Sequence, residues 1–346
     1  MSRIAVRLLL LFSLMLAFAA CERRPLVEYA GKVKVRVVLD TKEIPNVTSG
    51  IYNEKVVAPL TIPGTFRVLF YDHVTNELES QAFISRKGVD ENEEHFYEGY
   101  VFLNPGKYDM VCYNFDTPST LVNKEQSKNT IEAFTSEISE HLYTRFKSRV
   151  DLPIPRIYYE PDHFFVAREN GVEVLNSDDF FSISTKASTI IDTYYVQVRL
   201  VNGQYASNAV AMLTDLAPSS KFAIDEPKYN EYAGTYFEMY RSVDMRKRAP
   251  DQDVLCAVFN TFGKRPDHIE PTAESQLYLS FNVVTADGNS VEMTLNMDSI
   301  FQTTEAKEHK WLFIDKEIVL PEPESGGFEP SVEGWNDQVG EIELGK

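Results

Sequence analysis

The feature that most constrains this fold is a series of short segments in which apolar and polar residues alternate. Lys32–Asp40 (KVKVRVVLD) has an apolar residue at every second position, and Thr193–Val201 (TYYVQVRLV) alternates in a similar way. A period of two is typical of a β-strand that buries one of its faces. Many such segments, separated by residues that favour turns, predict an all-β protein built from β-sandwich domains.

Further strands are predicted by the same pattern, and three strong turn signals lie between them. Glu98–Phe115 is the clearest predicted hairpin. Its Asn104-Pro105-Gly106 fits a type II turn, because proline presets φ at the second position and glycine accepts a positive φ at the third. Asn202-Gly203 and Asp287-Gly288 are typical of hairpins. The remaining predicted strands are Thr65–Asp72, Gln81–Arg86, Tyr100–Leu103, Lys107–Phe115, Phe164–Arg168, Phe180–Thr185, Ala209–Leu213, Tyr236–Tyr240, Asp253–Phe262, Leu277–Thr285, Val291–Met297 and Trp311–Leu320.

One segment departs from the period of two. Apolar residues recur every three to four positions in Thr130–Val150, as they do on the buried face of an amphipathic helix. We therefore predict one short helix in the first part of the chain. Its apolar face consists of Ile131, Phe134, Ile138, Leu142 and Phe146.

The amino terminus has the composition of a secretory signal peptide. Arg3 and Arg7 precede the uncharged segment Leu8–Ala20, and Cys21 follows it directly. Thirteen residues are too few to span a bilayer, which requires about 20. The small residues before Cys21 resemble the lipobox of bacterial lipoproteins, and this resemblance implies that Cys21 is acylated and becomes the first mature residue. An ordinary signal peptide that happens to contain a cysteine is the alternative.

The length of the chain is enough for two domains at about 150 residues each. We predict a signal peptide at 1–20 and a short polar tether at 21–30. An amino-terminal β-sandwich domain is predicted at 31–188 and a carboxy-terminal one at 189–320. The last segment, 321–346, is an acidic tail rich in proline and glycine.

The tail differs in kind from the rest of the chain. Pro321–Lys346 has seven acidic residues against one lysine, and such a segment cannot bury enough apolar surface to fold alone. Phe328, Val332 and Trp335 are apolar points within it. They either dock on this protein or a partner, or they are incidental residues of a solvated tail.

The charge of the chain limits its partners. The formal net charge is −18, and it becomes −20 when residues 1–20 are removed with their two arginines and no acid. Nucleic acid requires a basic binding face, and polybasic binding to anionic lipid requires clustered cations. The composition therefore excludes nucleic acid as an expected partner and fits an exported surface protein.

Two cysteines remain besides Cys21. Cys112 and Cys256 lie in apolar, strand-like runs that are far apart in the chain. An exported protein can form disulfides, but two buried free thiols in separate domains are the simpler interpretation. We predict that both are unpaired.

No pattern in the sequence points to catalysis or to a cofactor. The six histidines include no pair at metal-ligand spacing, and there is no nucleophile elbow, phosphate loop or Cys-x-x-Cys motif. His163 and His268 each follow Pro-Asp. Each segment is either half of a metal site or a turn in which the aspartate caps the following residues, and we favour the turn. Carboxylates are plentiful, but no pair is singled out for glycoside hydrolysis. We therefore expect no catalytic residues, no metal site and no cofactor.

Four groups of residues together resemble a known family. The chain is similar to the FimB-like fimbrial anchor lipoproteins of type V pili and to related fimbrillin-like lipoproteins of unknown function. The matching residues are Cys21-Glu22-Arg23-Arg24-Pro25-Leu26, Phe102–Asp109 with Val111–Asn114, Tyr194–Arg199 with Leu213–Ala217, and Gly326–Trp335.

This resemblance implies two tandem transthyretin-like β-sandwich domains in a lipoprotein of the outer membrane that faces outward. It implies a role in anchoring or cell adhesion rather than catalysis. Only Cys21 carries over with a defined role, as the site of the lipid, for example palmitate. The implied partners are fimbrillin-like protein subunits, and the outer membrane through the lipid on Cys21.

A second interpretation is a surface glycan-binding lipoprotein of a polysaccharide uptake system. Aromatic side chains at Tyr158-Tyr159 or Trp335 would then stack on sugar rings, although in a chain with 18 tyrosines core or surface packing explains such residues more often. An exposed sheet edge that accepts a donated strand would favour the anchor, and a rim of exposed coplanar aromatic rings would favour the glycan binder.

Overall fold

The structure is a computed structural model that describes residues 31–41, 61–139, 142, 156–175, 181–228, 233–243, 253–264 and 277–322. Nearly all regular structure in these ranges is β-strand, which confirms the all-β prediction. Two short helices, α1 (Asp298–Phe301) and α2 (Thr304–His309), lie near the carboxyl end. No helix in the described part of the chain has both the length and the apolar character needed to cross a bilayer.

Every predicted strand overlaps a strand of the structure, whereas several three- and four-residue strands have no counterpart in the prediction. The strands up to residue 189 are β1 (Gly31–Leu39), β2 (Phe66–Asp72), β3 (Leu78–Ile84), β4 (Arg86–Val89), β5 (His95–Leu103), β6 (Gly106–Asn114), β7 (Leu121–Asn123), β8 (Glu132–Phe134), β9 (Arg156–Tyr159), β10 (Phe165–Val174) and β11 (Phe181–Thr189). Those that follow are β12 (Asp192–Val201), β13 (Ala206–Thr214), β14 (Ser219–Lys221), β15 (Glu226–Lys228), β16 (Ala233–Val243), β17 (Asp253–Thr261), β18 (Tyr278–Thr285), β19 (Ser290–Asn296) and β20 (Trp311–Val319).

The first large sheet has the order β3-β2-β6-β10-β11-β1-β5-β4. Only Ser85 separates β3 from β4 in the chain, yet these two strands lie at opposite ends of the sheet. The sheet is therefore folded back on itself into two layers. The inward side chains of both layers share one core, which includes Val35, Phe66, Tyr97, Cys112 and Phe165.

The two layers approach closely where β3 ends beside β5. A Cβ atom at Gly99 would lie 2.2 Å from Cγ2 of Ile84, so only glycine fits at this point of β5. Ile84 is 1% exposed and belongs to the shared core. The absence of a side chain at Gly99 thus allows the chain to close the sandwich at the β3–β4 corner.

The second large sheet has the order β19-β18-β13-β16-β17-β12-β20. β16 pairs with β13 through residues 234–239 and with β17 through residues 240–243, so it also passes from one layer to the other. The rings of Phe237 and Phe259 stack in the core with centroids 4.2 Å apart. β19 and β20 are the two ends of this sheet, and α1 and α2 lie between them in the chain.

A small third sheet, with the order β15-β14-β8-β7, joins segments that are far apart in the chain. β8 and β14 pair through Ala133 with Ser220 and Phe134 with Ser219. Side chains from both halves of the chain form a common core beside it, which includes Leu69, Tyr113, Phe164, Phe222 and Phe262. The two large sheets are therefore connected by a continuous apolar junction.

Two of the three predicted hairpins are wrong. β5 pairs with β1 and β4, whereas β6 pairs with β2 and β10, so the turn between them carries the chain from one layer to the other. The turn at Asn202-Gly203 does the same, because β12 and β13 have no pairing in common. The third hairpin is confirmed: β18 pairs with β19 across Asp287-Gly288, and Gly288 has a φ of 86°.

The predicted type II turn at Asn104-Pro105-Gly106 is also wrong. Gly106 has no positive φ and instead begins β6. Its missing side chain makes room for Tyr108, whose hydroxyl oxygen would lie 3.1 Å from a Cβ atom at Gly106. That hydroxyl donates a hydrogen bond to the carbonyl oxygen of Asn104 at 3.0 Å, which fixes the turn.

The helix predicted over Thr130–Val150 is wrong in its first half. Residues 132–134 form β8, and Glu137 makes an isolated β-bridge to Tyr158. Ile131 and Ala133 point into the junction core two residues apart, so tertiary packing selected the strand period over the helical one. In the second half only Leu142 lies among the described residues, and it is helical.

Both cysteines of the described chain are free, as predicted. Cys112 is fully buried in the core of the first sheet, and Cys256 is fully buried beside Tyr195 in the second. Burial raises the pKa of Cys256 to about 11 and raises that of Cys112 as well. The two thiols are therefore neutral packing groups.

Candidate functional site

Cys21, the predicted site of lipid attachment, lies outside the described residues, so its acylation stays a prediction. The tether at 21–30, the tail beyond residue 322, His268 and Trp335 also lie outside them. The first described residue, Gly31, begins β1 in the middle of the first sheet. The described chain thus starts ten residues after Cys21.

The end strands of the sheets are candidate surfaces for pairing with another chain. β20 is poorly suited to this, because its pairing with β12 is interrupted between Ile314 and Glu317. Asp315 and Lys316 are exposed in this irregular stretch. Bulges and exposed charges both hinder the addition of a further strand. β4 is also a poor template, since it has only four residues and begins with Arg86 and Lys87.

β19 is the more regular edge. It pairs with β18 without a register shift from Ser290 to Asn296. No strand of the described chain pairs with its outer side. Val291 and Met293 pack against the core of the second sheet, and Leu295 is buried in it, so the strand is held in place. An ordered edge with unpaired backbone groups is a template for strand addition.

A concave cleft of about 520 Å³ lies where the segment after β9 meets the outer faces of β16 and β17. It is acidic: four carboxylates line it, and its described lining has no lysine or arginine. The lining residues are Thr61, Pro63, Asn114, Asp116, Thr117, Pro118, Ser119, Glu160, Pro161, Asp162, His163, Glu238, Tyr240, Val258 and Asn260.

Glu160 is the most perturbed group of the cleft. Its carboxylate accepts a hydrogen bond from the backbone N–H of Asn260 at 3.0 Å, and the Asn260 side-chain amide donates to the carbonyl oxygen of Pro161 at 3.0 Å. Burial raises the pKa of Glu160 to about 7; the Asn260 hydrogen bond opposes this shift, while Asp162 and Glu238 add to it. Glu160 therefore changes protonation near neutral pH.

Asp162 acts as a capping residue, but not of the residues that follow it. It accepts hydrogen bonds from the backbone N–H groups of Ser119 at 2.6 Å and Thr120 at 2.8 Å. His163 is half-buried, its Nδ1 atom has no hydrogen-bond partner among the described residues, and burial lowers its pKa. No group of three His, Cys, Asp or Glu side chains in the described ranges is arranged to hold a metal ion.

Tyr158 and Tyr159, the candidates for stacking on sugars, lie on β9, which pairs with β16. Tyr159 is 38% exposed, and its ring meets that of Tyr236 edge to face at 6.0 Å. This packed arrangement is not a coplanar aromatic platform.

Neither the cleft nor the β19 edge was identified from the sequence, because both depend on how distant segments meet.

A family model, "Domain of unknown function (DUF5119)", matches residues 20–238. The chain belongs to this family. The match covers more than half of the chain and includes the predicted lipid-attachment cysteine, the first sheet and part of the second.

The chain is 20% identical to a Bacteroides ovatus protein provisionally named fimbrium anchoring subunit Fim4B, over 95% of each chain. A crystal structure of a B. ovatus protein provisionally described as an adhesin is 18% identical, with a TM-score of 0.59 over 88% of this chain and 98% of that one. The fimbrial anchor protein Mfa2 of Porphyromonas gingivalis is 13% identical, with a TM-score of 0.45 over 83% and 90%. The match to the named fimbrium anchoring subunit confirms the resemblance to fimbrial anchor proteins.

Proposed function

We propose that this protein is a non-catalytic anchor or assembly component that holds a fimbria-like fibre to the outer membrane. The observation that carries the proposal is the match along 95% of both chains to a protein named as a fimbrium anchoring subunit. Acylation of Cys21 would place the amino terminus in the membrane, with the folded chain outside the cell. Two or more acyl chains are needed for stable attachment, and a lipoprotein amino terminus carries more than one.

The finer architecture that we propose is two tandem transthyretin-like β-sandwich domains, divided near residue 189. In support, each large sheet encloses a core of its own. The chain passes from the first large sheet to the second between β11 and β12, at residues 190–191. The short strands β8 and β9 would then be arms of the first domain that pair with strands of the second.

The partner that we propose is a fimbrillin-like subunit that adds a strand to β19. Strand addition supplies main-chain hydrogen bonds, and alternate side chains determine which partner fits. The regular register of β19 supports this choice, as does the absence of any described strand on its outer side. A glycan-binding role is not favoured, because the relatives with high coverage are named for fimbriae and adhesion.

Purification of the protein from native envelopes tests the proposal. A fimbrillin-like subunit should co-purify, and deletion of the gene should release fibres into the medium. Thr294→Lys on β19 should weaken retention of the subunit, because an exposed lysine on an edge strand opposes pairing. Val319→Lys on β20 is the matched control, since Val319 is exposed on the other edge. Binding of polysaccharide with no retained protein partner would overturn the proposal.

A further inference from the structure

One end of the first sheet, here called the tether end, is where the chain enters from residues 21–30. Gly31 begins β1 opposite Leu103, the last residue of β5. Gly106 pairs with Val174, and Asp72 pairs with Tyr108, so β2, β6 and β10 have ends at the same place. The turns after β2 and β5, together with Leu175 directly after β10, therefore lie around the start of β1.

The tether end exposes an unusual amount of apolar surface. Val74, in the turn after β2, is 84% exposed, and Leu175, directly after β10, is 62% exposed. Phe102 and Tyr100, at the end of β5, are 52% and 46% exposed. Single exposed apolar residues need no explanation, but several at one end of a sheet mark an interaction surface.

Lysines and acidic residues both lie at this end, and the acidic residues include Asp72, Glu79 and Glu173. Lys32 lies opposite Phe102 in the register, and its Nζ atom is 3.9 Å from the centre of the Tyr100 ring. Lys107 is also exposed, at the start of β6, and it lies opposite the exposed Glu173 of β10. On the outer face of β1 and β5, the acidic side chain Glu98 lies further from the tether and is paired with Lys34 at 3.0 Å.

We propose that the tether end rests on the surface of the lipid bilayer. Phe102, Val74 and Leu175 would lie at the level of the headgroups, and Lys32 would lie beside lipid phosphates. Tyrosine and lysine near a bilayer favour this level, because the ring and the stem are apolar while the tip is polar. This inference rests on the proposed anchoring through Cys21.

The position of the lipid supports a membrane rather than a protein as the occupant. Nine residues lie between Cys21 and Gly31, and the ten steps from one to the other span at most about 35 Å when fully extended. The tether end is the part of the described chain that begins where this segment stops, so it is the part held nearest to the bilayer. The high net negative charge of the chain opposes any closer approach of the remaining surface to anionic lipid.

Depth-dependent fluorescence quenching tests the inference. The mature chain is coupled through Cys21 to phosphatidylethanolamine with a maleimide headgroup, in vesicles of phosphatidylethanolamine and phosphatidylglycerol with brominated acyl chains. The other two thiols are buried and do not compete. Phe102→Trp introduces a reporter at the tether end, and Phe83→Trp is the matched control, since Phe83 is 55% exposed at the opposite end of the sheet.

We expect roughly twofold stronger quenching of the added tryptophan in Phe102→Trp than in Phe83→Trp, as for aromatic rings at headgroup depth. Val74→Trp should behave like Phe102→Trp and provides a second reporter on an exposed turn. Lys32→Glu should reduce the quenching, and more so at low salt. Equal weak quenching of all three reporters would overturn the inference.

This design separates the inference from the proposed anchoring. Chemical coupling places the chain on the vesicle whether or not a cell acylates Cys21. Acylation in the cell is measured separately, by labelling the wild type and Cys21→Ser with a fatty-acid analogue. Failure of labelling would count against the anchor, whereas failure of quenching would count against the orientation.

Discussion

Asp109 and Glu160 are both largely enclosed, yet their surroundings move their pKa values in opposite directions. Burial alone would raise the pKa of Asp109, but hydrogen bonds from Lys128 at 2.7 Å, Gly171 at 2.8 Å and His73 at 2.7 Å lower it. Glu160 has a single backbone donor, so burial dominates and its pKa rises to about 7. Asp109 is therefore a structural anion, and Glu160 is a group that resists ionisation.

Glu160→Gln is expected to stabilise the protein above neutral pH. The folded pKa lies above the unfolded value, so the folded state holds the proton more tightly and stability falls as pH rises from about 4.5 to about 7. Glutamine stays neutral and still accepts the Asn260 hydrogen bond. The gain at pH 8 should be roughly 1 to 3 kcal/mol, measured by urea unfolding at pH 5 and pH 8.

Asp116→Asn is a control for this prediction, since Asp116 lines the same cleft and accepts a hydrogen bond from the backbone N–H of Gly64. The Asp116→Asn variant should not show an increased free energy of unfolding at pH 8. If the unfolding free energy of Glu160→Gln followed that of the wild type at both pH values, the assignment of a raised pKa would be wrong.

At the level of elements, alternation of apolar residues located the strands, but local turn signals did not determine their partners. Asp287-Gly288 joins two neighbouring strands, whereas Asn202-Gly203 joins strands of different layers. Both turns reverse the chain, and the choice between the two outcomes depends on contacts with strands distant in sequence. The cleft around Glu160 could not be predicted from the sequence for the same reason, because its residues come from separate segments.

The close contact of β5 with the β3–β4 corner yields a prediction. Gly99→Ala should destabilise the protein by about 1–3 kcal/mol, because the new methyl group would overlap Ile84. Ile84→Ala removes the overlapping atom, so the double variant should be more stable than the sum of the two single effects. Gly31→Ala is the control, since a Cβ atom there would make ordinary contacts at 3.6 Å. If the loss of unfolding free energy in the double variant equalled the sum of the losses in the two single variants, the steric explanation would be contradicted.

At the level of the whole molecule, the junction core determines whether the two large sheets behave as one body. Phe222, which follows β14, is fully buried, and its ring meets those of Tyr113 and Phe164 edge to face, each at 5.2 Å. Beside it, the buried carboxylate of Glu132 accepts a hydrogen bond from Ser219 at 2.8 Å and pairs with Lys124 at 2.8 Å. Apolar packing and a satisfied ion pair therefore act at the same place.

Phe222→Ala is expected to lower the free energy of unfolding by about 3–5 kcal/mol, as for other large-to-small changes in a core. Because the lost contacts join the two halves, unfolding should also become less cooperative, with two transitions by calorimetry in place of one. Phe313→Ala, at a side chain that is 43% exposed on β20, should have little effect. A single transition of unchanged midpoint for Phe222→Ala would show that the junction does not couple the halves.

The central place of β1 has a mechanical consequence. β1 lies between β11 and β5, with seven register pairs to the first and eight to the second. In the proposed anchoring through Cys21, drag on a fibre would pull on the chain at the start of β1, and the component of this force along β1 would load all of these hydrogen bonds in shear together. An edge strand in the same position would peel away one bond at a time. Detachment should therefore require a slow, force-dependent unfolding of the first sheet, and the rate of this step would limit how long a cell stays attached under flow.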